Sequence, residues 1–103
     1  MDVRCNSLDE VRQRIDEIDR SIVSLLAKRG KLVTQAAGFK KTTDDVRAPA
    51  RVEQVISKVR EMADETGASA QVVEHVYRAM ISAFIAEELS THAQLASEHS
   101  ASL

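Results

Sequence analysis

The chain has 103 residues, 44% of them hydrophobic and 29% charged, a balance that fits about one soluble globular domain and excludes a disordered chain. A net charge of −2, with aromatics at only 3% and no Trp, excludes a phosphate-tracking surface or a base-stacking platform, so no nucleic-acid partner is expected. The single Cys5 cannot form an internal disulfide, and no apolar run resembles a signal peptide or a membrane span; a cytoplasmic location and no membrane partner are expected.

Residues 1–6 read as a short N-terminal tail. Ser7, followed three residues later by Glu10, forms a capping-box signal just ahead of an apolar beat. The beat runs Leu8, Val11, Ile15, Ile18, Ile22, Leu25, Leu32, Ala36 and Phe39, at alternating helical spacings, with Arg29 taking one position. Nothing stops this pattern before Thr42, Thr43, Asp44 and Asp45, which predicts a first helix of about 34 residues, roughly 50 Å long. Pro49 suits the first turn of a second helix with apolar positions Val52, Val55, Ile56, Val59 and Met62, and Gly67 suits its stop. Ser69 can cap a third helix that runs through Val72, Val73, Val76, Tyr77, Met80, Ile81, Phe84, Ile85 and Leu89. From Ser97 onward the chain is small and polar, and a frayed tail is expected over residues 96–103.

The expectation is therefore an all-α domain over residues 7–95, with one long and two shorter helices. A helix of roughly 50 Å overshoots a globule of this size, whose radius of gyration is about 13 Å. A seam from Leu8 to Phe39 needs a second long helix beside it, and another copy of the same chain supplies one, so a homodimer is expected. A monomer whose first helix breaks near Gly30 is the alternative.

Two charges sit on the apolar beats. Arg29 keeps its charge in any protein and requires an anion if it is buried. Lys40 follows it by 11 residues, three turns plus about 20° on a continuous helix, so the two could grip one ligand. Arg12 precedes Arg29 by 17 residues, roughly 25 Å along the axis, and could meet it only across an antiparallel dimer. In the third helix Tyr77, Ile81, Phe84 and Glu88 share one stripe, so Glu88 either pairs with a cation or keeps its proton. Three readings stay open: an internal Glu88–Arg29 ion pair, a solvated face, or cations and one acid converging on a small anionic molecule. Arg47 and Arg51, near the start of the second helix, add cations where the helix dipole disfavours them. His75, His92 and His99 have no metal-site spacing with one another or with Cys5; Glu88 and His92, four apart, read as a solvated pair, and no metal is expected.

The stretch "LDEVRQRIDEIDRSIVSLLAKRGKLV", the lysine 11 residues after the arginine of "LLAKR", "VRAPARV" and "FIAEEL" together resemble the all-helical chorismate mutase family. They also resemble its relatives, the isochorismate pyruvate lyases of salicylate synthesis. The resemblance implies an intertwined homodimer whose two sites each borrow an arginine from the partner, and it implies a small anionic dicarboxylate as substrate with no cofactor. Carried over by position, the borrowed arginine is Arg12, and Arg29 and Lys40 come from the same chain. Arg51 corresponds to a further substrate-side arginine, and Glu88 to the donor at the substrate's ether oxygen.

Rearrangement of chorismate to prephenate in aromatic amino-acid biosynthesis is a pericyclic shift that loads negative charge on that oxygen and requires no nucleophile. Lys40 and a protonated Glu88 would serve it, while Arg29 would hold a carboxylate. Two positions depart from the mutase pattern: Ala48 replaces an aspartate, and Val52 replaces a glutamate that accepts the ring hydroxyl. The loop "FKKTTDDVRAPARV" resembles the lyase branch. The expected activity is chorismate mutase, with the lyase as the alternative and a non-catalytic helical dimerisation or regulatory module as a second one.

Overall fold

The computed structural model describes residues 4–101, with side chains as far as residue 91. Its described residues are all helical or irregular, in the order α1 (Leu8–Ala37), α2 (Thr43–Arg47), α3 (Pro49–Thr66) and α4 (Ala70–Ala101). They fall into two compact units that divide between Gln35 and Ala36. None of these helices is long and apolar enough to cross a membrane.

In the first unit, the Ser7 hydroxyl accepts the Glu10 N–H at 3.1 Å, as its position predicts. The Glu10 carboxylate reaches one residue further back than a standard capping box and accepts the Asn6 N–H at 3.1 Å. Asp9 and Glu10 in the first turn complement the positive end of the helix dipole. α1 carries through Gly30 without a break, and the Thr34 hydroxyl donates to the Gly30 carbonyl at 3.0 Å. No residue of α1 is buried; Leu8, Ile18, Leu25 and Leu32 of the apolar stripe are each about three-fifths exposed.

The first helix ends at Ala37, short of the predicted length, because Gly38 follows and the chain tightens there. Phe39 and Lys40 donate back three residues, to the carbonyls of Ala36 and Ala37 at 3.0 and 3.1 Å. Lys40 therefore lies on the connection after α1, and the helical spacing that placed it on one face with Arg29 does not apply.

The α2 turn, absent from the sequence-based expectation, is capped by Thr42. The Thr42 hydroxyl accepts the Asp45 N–H at 3.1 Å and the Asp45 carboxylate accepts the Thr42 N–H at 3.2 Å, a reciprocal capping box. Ala48 closes α2 and opens α3 in the left-handed region, at φ 39°, a conformation that costs an alanine about 1 kcal/mol. Pro49 then starts α3 and Gly67, at φ 77°, stops it, both as predicted. Ser69 caps α4, its hydroxyl accepting the Val72 N–H at 3.3 Å.

The core of the second unit is Val46, Ile56, Val59, Ala63 and Ile81, where α2 and α3 pack on α4. Ala63 takes the inward position expected for Met62, which is exposed, as are Val72 and Val76. Arg78 of α4 holds Glu53 of α3 through two bonds at 2.9 and 3.0 Å and also bonds Glu74 at 2.7 Å, which in turn meets Arg60 at 2.6 Å. This network links α3 to α4 at the surface. The arginines hold both carboxyls below the usual range, Arg78 contributing most to each.

α4 spans 32 residues against 30 in α1, so the expectation of two shorter helices is corrected: it holds for α3 alone. No Gly or Pro interrupts residues 70–101. The stretch expected to fray from Ser97 is helical in backbone as far as Ala101, and its side chains, with those of His92 and His99, lie outside the described residues, as do residues 1–3 of the expected N-terminal tail.

Candidate functional site

Glu88 occupies the place that periodicity assigned to it, in line with Tyr77, Ile81 and Phe84 on a stripe whose members are buried or half-buried. Its side chain is only 9% exposed. A carboxyl at such a position requires a donor, and Lys40 brings one from 48 residues away in the sequence. The Lys40 ammonium lies 3.1 Å from Oε2 and 3.4 Å from Oε1 of Glu88, with its own side chain 24% exposed.

The connection that delivers Lys40 is itself held. Lys40 N–H donates to Ala37 O, while Lys41 N–H and Thr42 N–H both donate to Asp45 Oδ2, at 3.1 and 3.2 Å. Those two backbone bonds, Lys41 first, hold the Asp45 carboxyl below its usual range. The signal for this turn is present in the sequence as Thr42-x-x-Asp45, a residue type and spacing that start helices.

Arg51 stands in the first turn of α3, exposed, and donates to Gln54 Oε1 at 2.7 Å. Arg47 is in the last turn of α2, where the helix dipole favours a cation. Its position is therefore accounted for without a ligand, contrary to the expectation that it stands where a helix dipole disfavours a cation. Arg12 is exposed and Arg29 half-buried, both on α1, 17 residues and roughly 25 Å apart along the axis. Val52, where a hydroxyl acceptor was missing from the pattern, is half-buried on α3. Among the described residues, no group of three or more His, Cys, Asp or Glu could hold a metal ion.

An ammonium and a carboxyl that face each other in a mostly dry position can act in two ways. Ionised, they satisfy each other. With Glu88 protonated, both become donors able to converge on one substrate oxygen, an arrangement that stabilises charge developing there.

The chain matches the family model described as chorismate mutase type II over residues 11–89. It is also similar to the isochorismate pyruvate lyase of Pseudomonas aeruginosa, with 34% identity over 85 residues, 82% of this chain and 84% of that protein.

Proposed function

Because the chain belongs to the chorismate mutase type II family, we propose that it acts as a chorismate mutase, breaking the enolpyruvyl ether C–O bond of a chorismate-type dicarboxylate as a new C–C bond joins the arm's methylene carbon to the ring. The observation that carries this reading is the meeting of Lys40 with Glu88 at 3.1 Å, two groups that can both donate to the ether oxygen. As that bond breaks, the oxygen gains negative charge. A donor pair fixed before the reaction stabilises the charge without reorganising, which is the electrostatic share of the catalysis. The remaining share is orientation: the flexible enolpyruvyl arm must be held over the ring.

Arginine matches carboxylate geometry through two parallel bonds. In this reading Arg29 holds a carboxylate of the substrate, Arg51 is a further substrate-side arginine, and Arg12 comes from a second copy. The exposed apolar stripe of α1 supports a homodimer, since Leu8, Ile15, Ile18, Ile22, Leu25 and Leu32 need cover that a second α1 provides. We place the enzyme in the cytoplasm, where Cys5 stays reduced and chorismate feeds aromatic amino-acid synthesis.

A second reading, isochorismate pyruvate lyase, is favoured by two observations. Val52 offers no acceptor for the ring hydroxyl that distinguishes chorismate, and the similar Pseudomonas aeruginosa protein carries that activity in its name. The same donor pair serves it, because the same C–O bond breaks. Purified protein offered chorismate and isochorismate in parallel tests both. Loss of chorismate absorbance with prephenate formed supports the mutase, and salicylate fluorescence from isochorismate alone supports the lyase. Turnover of neither refutes both and leaves a helical dimerisation module.

A further inference from the structure

We propose that Asp45 is a positioning residue that aims Lys40 at the site. Lys40 sits on a connection, where four side-chain torsions and an unconstrained backbone would spread its ammonium over many positions. The structure restrains that backbone on both sides. Before the side chain, the Lys40 N–H is tied to Ala37 O at 3.1 Å. After it, the next two N–H groups, of Lys41 and Thr42, converge on the single oxygen Asp45 Oδ2. The Thr42 hydroxyl returns a bond to the Asp45 N–H at 3.1 Å, which closes the turn.

The next residue, Val46, is 3% exposed, in the turn α2 that packs on α4. α4 is also the helix that carries Glu88. Anchor and target therefore lie on elements that pack against each other, and Asp45 links the anchor to the lysine. The inference rests on the proposed reading of Lys40 as a donor to the substrate. A role confined to capping α2 is the competing account, and it predicts losses of stability without a selective loss of turnover.

Asp45→Ala and Asp45→Asn, each made alone and together with Lys40→Ala, separate the two. The asparagine oxygen can still accept both amide bonds, so Asp45→Asn should keep most of kcat. Asp45→Ala should lower kcat by up to about a hundredfold, the scale of an ångström of misplacement, with KM nearly unchanged. In the Lys40→Ala background the same change should have little further effect, because its route to the substrate is gone. Full additivity of the two losses overturns the proposal.

A readout independent of turnover is the rate at which acetic anhydride labels Lys40, with exposed Lys58 as the internal control. Asp45→Ala should speed labelling of Lys40 and leave Lys58 unchanged. Unchanged labelling of Lys40 overturns the proposal, and so does equal acceleration at both lysines, which reports general loosening. Selective acceleration in a protein inert on chorismate and isochorismate would sustain the positioning and remove the functional reading.

Discussion

Replacing Lys40 by methionine keeps most of the side chain's apolar stem and removes its charge, so stability and catalysis can be read apart. Glu88 would keep its nearly buried carboxylate, 9% exposed, without the ammonium now 3.1 Å away. Breaking a fully buried pair costs about 3–5 kcal/mol, and an exposed pair contributes about 0–1 kcal/mol. Lys40 itself is 24% exposed. The expected loss therefore lies between, at about 1–3 kcal/mol in urea unfolding at one fixed chain concentration. Adding Glu88→Gln removes the stranded charge and should restore most of that loss. Turnover should behave differently: Lys40→Met lowers kcat about a hundredfold to a thousandfold, with little change in KM, since the lost donor acts mainly in the transition state. The double variant should stay slow, because the ammonium is still missing. Full turnover in Lys40→Met would refute the donor role, and full turnover in the stable double variant would reduce the pair to a structural contact.

Glu88→Gln, whose amide can donate at any ordinary pH, should keep or raise activity near pH 8, and a Gln variant without turnover would remove Glu88 from the mechanism as a donor. Glu53 and Glu74 titrate below the ordinary value of 4.5 in the fold, chiefly through Arg78, so the unfolded chain binds more protons as pH falls. Their contribution to stability is present above that value and is lost as pH falls through the lowered ones. Arg78→Met should accordingly show a shallower acid loss in a pH series of thermal melts, and an identical acid limb would remove the network from the account. Gly67→Ala puts a side chain at φ 77° in open space, so its cost is backbone strain alone, about 1–2 kcal/mol in urea unfolding; no loss would mean that the C-cap relaxes.

Helix limits were legible wherever a residue's chemistry dictates them. Pro49 lacks the N–H that a first turn leaves unused, Gly67 adopts the left-handed cap without a Cβ penalty, and the Ser7 and Ser69 hydroxyls accept orphan amides. Glu88 was legible as an acid on an apolar stripe, and it was the family resemblance, not the periodicity, that set Lys40 beside it. Arg29 seemed the natural partner from periodicity, while Lys40 arrives from a connection whose direction no period encodes. The α2 turn escaped for a related reason: Thr42 and Asp45 carry a helix-start signal, but five residues are too short for an apolar beat to register. The ion pairs among Glu53, Arg60, Glu74 and Arg78 depend on the register of one helix against another, which the sign of a charge does not reveal.

The central claim is a site built from two copies of the chain, with Arg12 supplied by one and Arg29 by the other. Arg12→Ala and Arg29→Ala chains should each be inactive alone, since every site then lacks one carboxylate-binding arginine. Unfolded together and refolded as a mixture, they should form mixed dimers in which one of the two sites keeps both arginines. The account predicts that activity returns in the mixture, to about a quarter of the wild-type level if pairing is random. Confirmed exchange of chains, read by mass spectrometry of the intact dimers, with no return of activity would contradict the shared site.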